Sequence, residues 1–139
     1  MRKEELLYLA DEVEAMAADA FNFANWRLKQ RCGTTRCAAG LACTLERFQR
    51  LGLHASAFVG VPICTDANGL PVTGFRAMAA VFRISESDAL YLFHARDSGL
   101  GERATTKQVA DHIRAFVARG GQPSVLPAPP PARELDPIT

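Results

Sequence analysis

Cysteine is the residue type in this sequence with the most chemistry to offer. Cys32, Cys37 and Cys43 fall in one stretch, CGTTRCAAGLACTLERFQRLGL from Cys32 to Leu53, and Cys64 lies beyond it. Cys-Gly-Thr-Thr predicts a loop closing on a helix N-cap at Thr34, and Gly52 predicts the helix stop. Cys37 then takes the third helical position, where unpaired backbone amides and the helix dipole lower a thiol pKa. Arg36 adds positive charge beside it. These are the electrostatics of a nucleophile, for which His54, His94 and His112 are candidate bases. His112 falls at the edge of an apolar helix face, the usual place of a structural histidine. An enzyme built here would therefore pair Cys37 with His94 or His54 as a hydrolase or transferase.

The layout faintly resembles papain-like enzymes, in which a Cys-Gly-x-Cys stretch opens a helix. Here the second cysteine is two residues too far along, and Ala38 stands where that family has Trp. A zinc site is the next chemistry to weigh. Structural zinc pairs its ligands at two to four intervening residues and needs a second pair, whereas Cys32, Cys37 and Cys43 are spaced more widely. On a helical wheel Cys37 and Cys43 also point apart, so no metal or other cofactor is expected, and small cysteines filling tight packing sites are the simpler account. DNA binding is the third. AAVFRISESDALYLF, within residues 75–94, has the rhythm of a helix-turn-helix. Its second helix opens with Glu86-Ser87-Asp88, placing negative charge where a recognition helix meets phosphates. Arg83, Arg96 and Arg103 only partly offset this, so nucleic acid is disfavoured as a partner.

The elements that must hold these groups are mostly helical. Leu6, Leu9, Val13, Met16 and Ala20 recur at intervals of three and four, predicting an amphipathic helix over 3–20 with Glu4 and Glu5 in its first turn. FNFANW follows, and Phe21, Phe23 and Trp26 read as aromatic plugs for the core. A single central helix running to Leu51 is expected next. On one arc it carries Cys37, Gly40, Leu41, Thr44, Leu45, Phe48 and Leu51; on a wet, basic stripe it carries Arg36, Cys43, Arg47 and Arg50. Gly40 on the buried arc predicts another backbone crossing closely. Val59, Val61 and Ile63 alternate, Asp66-Ala67-Asn68-Gly69 signals a turn, and Pro62 and Pro71 restrict any strand to an edge. Two helices joined by a tight turn come next, the second capped by Ser85 with Asp88 three residues on. Thr105 or Thr106 caps a last helix with Val109, Ile113, Phe116 and Val117 inward and Gly120 as its stop.

Composition sets wider bounds. The chain has 139 residues, 48% of them hydrophobic, and a net charge of +1, which suits one globular domain with no field for a polyanion. Acidic residues dominate the first 25 positions and basic residues the next 25, so these two segments are expected to lie side by side. Glu4 and Glu5 interrupt the place of a signal peptide, and no run approaches the ~18 apolar residues of a membrane span. A cytoplasmic chain with free, reduced cysteines and no membrane partner is the expectation.

FNFANW, CGTTRCAAGLA, FRISESDALYLF and ATTKQVADHI together resemble a group of small bacterial and phage-borne proteins of uncharacterised function. The shared pattern is an aromatic-x-aromatic-x-x-Trp followed by a Cys-Gly-Thr-x-x-Cys-x-Ala-Gly block. Trp26, Cys32, Gly33, Thr34, Cys37, Ala39 and Gly40 carry it here. The resemblance implies one domain over roughly residues 20–117 and brings no activity with it.

The sequence thus predicts a mainly α, single compact helical domain over 1–121, of about five helices. A short hairpin-like or irregular segment lies near 59–73, and a Pro-rich flexible tail covers 122–139. Its expected role is a non-catalytic interaction or regulatory module with a protein partner, with Arg36, Cys43, Arg47 and Arg50 as the binding stripe. A cysteine-dependent enzyme and a helix-turn-helix binder are the alternatives.

Overall fold

The periodic apolar spacing that opens the chain forms α1, Lys3–Glu14, which buries Leu6, Leu9, Ala10 and Val13. The computed structural model describes residues 1–16, 21, 28–30, 33–35, 37–56, 61–101 and 103–121. Phe23, Trp26, Cys32, Arg36 and the Pro-rich tail lie outside the described residues. After α1 come β1, Leu28–Gln30, and β2, Gly33–Thr35, paired antiparallel with Leu28 opposite Thr35. Two short helices follow, α2 at Ala38–Ala42 and α3 at Glu46–Gln49. A three-stranded antiparallel sheet is built from β3, His54–Ala55, β4, Pro62–Thr65, and β5, Pro71–Thr73, with β4 in the middle. The chain then continues through α4, Phe75–Phe82, α5, Glu86–Phe93, and α6, Thr106–Ala118.

Three expectations need correction here. The fold is mixed: among the described residues, helices pack with a small sheet, so "mainly α" understates the strands. The central helix is also not continuous. Thr34 sits in β2 and Cys37, not Thr34, is the N-cap of α2, so Cys37 precedes the first helical turn. The helix breaks again at 43–45, where side chains compete for the backbone. Thr44 Oγ1 donates to the Leu41 carbonyl at 2.7 Å, and Gln49 Nε2 donates to the Cys43 carbonyl at 3.0 Å. Pro62, expected at an edge, opens the central strand instead. A first strand residue is one place where a missing N–H is tolerated.

Turn and cap signals are met residue by residue. Asp66 Oδ1 accepts from the Asn68 and Leu70 amides and Gly69 has φ 81°, closing the β4–β5 hairpin. Ser85 Oγ accepts from the Asp88 amide. Thr105 and Gln108 form a reciprocal capping box. Gly52 and Gly120 end α3 and α6 in left-handed conformations, each with the next amide returning to the Phe48 or Phe116 carbonyl.

The longest packing seam joins α1 to α6. Across it Arg114 reaches Asp11 at 2.8 Å and Glu14 at 2.5 Å. Helix α4 lies between α5 on one side and β4 and β5 on the other. Fully buried Phe48, Phe82 and Phe93 carry an aromatic core from α3 through α4 to α5. Phe21 packs against that core from its edge, in keeping with a plug.

Candidate functional site

The thiols are sealed. Cys37, Cys43 and Cys64 are buried, only 2%, 3% and 4% exposed. Burial pushes the Cys37 thiol up to about 11, against the opposing pull of the backbone amides of Gly40 and Ala39. The helix-terminal amides expected to activate this sulfur are thus outweighed by desolvation. Cys43, expected on a wet stripe, is buried, because the break after α2 turns the wheel that would have carried it outward. It is therefore not a surface binding residue. Burial raises the Cys64 thiol as well, and the nearby Arg2 charge offsets part of the effect.

No imidazole is drawn to Cys37 among the described residues. His54 Nδ1 donates to the Gly52 carbonyl at 3.2 Å. His94 lies edge-on to Phe75, and its Nδ1 accepts from the Asp97 amide at 3.3 Å. His112 Nε2 donates to the Tyr91 carbonyl at 2.7 Å, with the Tyr91 ring against it. No group of three metal-ligating side chains is present among the described residues.

Burial holds the His112 pKa below the ordinary histidine value, opposed by the Tyr91 hydrogen bond. A depressed histidine pKa contributes stability that is present above about 6.5 and lost as pH falls below it. The melting temperature is therefore expected to drop between about pH 7.5 and 5.5. His112→Gln, which keeps a donor for Tyr91, should flatten that drop; an identical slope in both proteins would refute the assignment. Asp111 is held below the carboxylate range, first by its hydrogen bond from Lys107, so its contribution is lost only in more acid solution.

The basic stripe is largely spoken for. Arg47 binds Glu5 at 2.5 Å and lies 4.5 Å over the Tyr8 ring. This bond joins α3 to α1, the form that the side-by-side acidic and basic segments take. Arg50 pairs with Glu46 within its own turn. Neither guanidinium is left waiting for a ligand, and Gly40 is simply buried in α2.

A different set of cations converges elsewhere. An open groove of about 870 Å³ lies between the β4–β5 hairpin and α4. Leu51, Val72, Ala79 and Ile84 supply apolar surface, Cys64 also lines it, and Arg2, Arg76 and Arg83 supply charge. The Arg2 amide donates to the Phe82 carbonyl at 2.9 Å, which brings Arg2 beside Arg83. Arg76 reaches Glu86 at 3.4 Å. Arg2 and Arg83 have no ion-pair partner among the described residues.

Arg83 has φ 57° and ψ 51°, the only non-glycine residue with positive φ among the described residues. Its amide returns to the Ala80 carbonyl and the Ile84 amide to Ala79, closing α4 with a turn in which glycine is usual. A side chain at such a φ costs about 1–2 kcal/mol. This site was not legible in sequence, since Arg2 and Arg83 meet only through a tertiary hydrogen bond.

No family model, curated protein or solved structure matches the chain. No helix among the described residues is long and apolar enough to cross a membrane.

Proposed function

We propose that this chain is a small non-catalytic interaction module that works in the cytoplasm through a protein partner. One observation carries the reading. Cys37, the best candidate nucleophile, is buried with a raised pKa, and no histidine is hydrogen-bonded to it among the described residues. A cysteine nucleophile needs thiolate character, access and a base, and Cys37 lacks the first two. The helix-turn-helix alternative has less support still, because α5 begins with Glu86 and Asp88.

Para-nitrophenyl acetate tests the reading. A cysteine enzyme would release a stoichiometric burst of nitrophenol and carry an acetyl group on Cys37. The expected result is neither burst nor adduct. A burst lost in Cys37→Ala would end the non-catalytic assignment.

A further inference from the structure

We propose that the groove between the β4–β5 hairpin and α4 binds an extended acidic segment of a partner protein, with carboxylates alternating with aliphatic side chains. The inference rests on the interaction-module reading and names the chemistry of its partner. Arg2 and Arg83 both line the groove, and neither has an ion-pair partner among the described residues. The groove's own acids are engaged: Asp66 caps the hairpin turn and Glu86 faces Arg76. Arg2, Arg76 and Arg83 against Asp66 and Glu86 leave the described lining with a net charge of +1. Leu51, Val72, Ala79 and Ile84 between the arginines match aliphatic side chains.

The backbone at Arg83 is also unusual. At φ 57° a glycine would close α4 with less strain, yet the position carries an arginine that lines the groove. Nucleic acid suits the surface less well. None of the described residues lining the groove is aromatic, so they offer no base-stacking platform, whereas an extended peptide needs none.

The probe is an acetylated, amidated peptide of alternating Glu and Leu, titrated calorimetrically into the full chain. Binding is expected at about 50 mM salt and should weaken roughly tenfold at about 500 mM. Arg83→Gly should weaken it by about tenfold. Arg2→Ala should do the same, as should replacing the peptide's Leu by Ser. Arg83→Gly preserves the left-handed backbone and should keep or raise the melting temperature, so its loss of binding cannot be unfolding. Unchanged affinity in both arginine variants, no binding by the parent chain, or tighter binding of a short oligothymidylate would each overturn the proposal. A nitrophenol burst would instead strike at the non-catalytic reading, so the two failures are distinguishable.

Discussion

Phe48→Ala is expected to remove about 3–5 kcal/mol, the cost of losing a fully buried aromatic ring and keeping its cavity. Phe48 is 0% exposed and sits in the four-residue helix α3. A helix of one turn has no stability of its own. What holds α3 is this ring, edge-on to Tyr8 at 5.7 Å and to Phe82 at 5.2 Å. Against a total of roughly 5–15 kcal/mol, the loss is a large share of what keeps the chain folded. Urea titration should show a lower midpoint with little change in slope. Phe48→Leu should fall between the two. A penalty below about 1 kcal/mol would mean that α3 is anchored by something other than this ring.

The second large effect is a rate. During a short exposure of the native protein to iodoacetamide near pH 7.5, Cys37, Cys43 and Cys64 should remain almost unmodified, and all three should label at once in denaturant. A thiol titrating near 11 rather than 9.0 holds roughly a hundredth of the thiolate at neutral pH. Burial adds protection, since the reagent must wait for an opening event. Cys64 should be first of the three, because it lines the open groove and Arg2 favours its thiolate. Cys37 should be last. Peptide mass spectrometry over time gives the order directly, and rapid labelling of Cys37 would contradict both its burial and the function drawn from it.

The burial of Cys43 departs from the helical wheel, which placed it outside, and the reason shows what sequence reading could reach. Elements set by local chemistry were legible. Leu6, Leu9 and Val13 mark α1 by spacing alone, and Thr105 and Gly120 bound α6 because caps depend on neighbouring backbone groups. The Asp66–Gly69 turn was legible for the same reason. The break between α2 and α3 was not. Apolar spacing continues straight through Thr44 and Leu45, and only the bonds from Thr44 and Gln49 to backbone carbonyls reveal the interruption. Strand β3 has two residues, too few for a period to show. The groove was least legible of all, since its charges come from the two ends of a tertiary contact.

Arg114 closes its bonds to Glu14 and Asp11 across 100 and 103 positions of chain. The seam it fastens, α1 against α6, is the most extensive between elements among the described residues. During synthesis α1 emerges well before α6, with Leu6, Leu9, Ala10 and Val13 lacking the cover of α6 until it has cleared the ribosome. Contacts so distant in sequence slow folding, because the chain must close a large loop before they reward it. Until α6 follows, α1 therefore presents an uncovered apolar helix face, the kind of surface through which nascent chains are held by chaperones or aggregate.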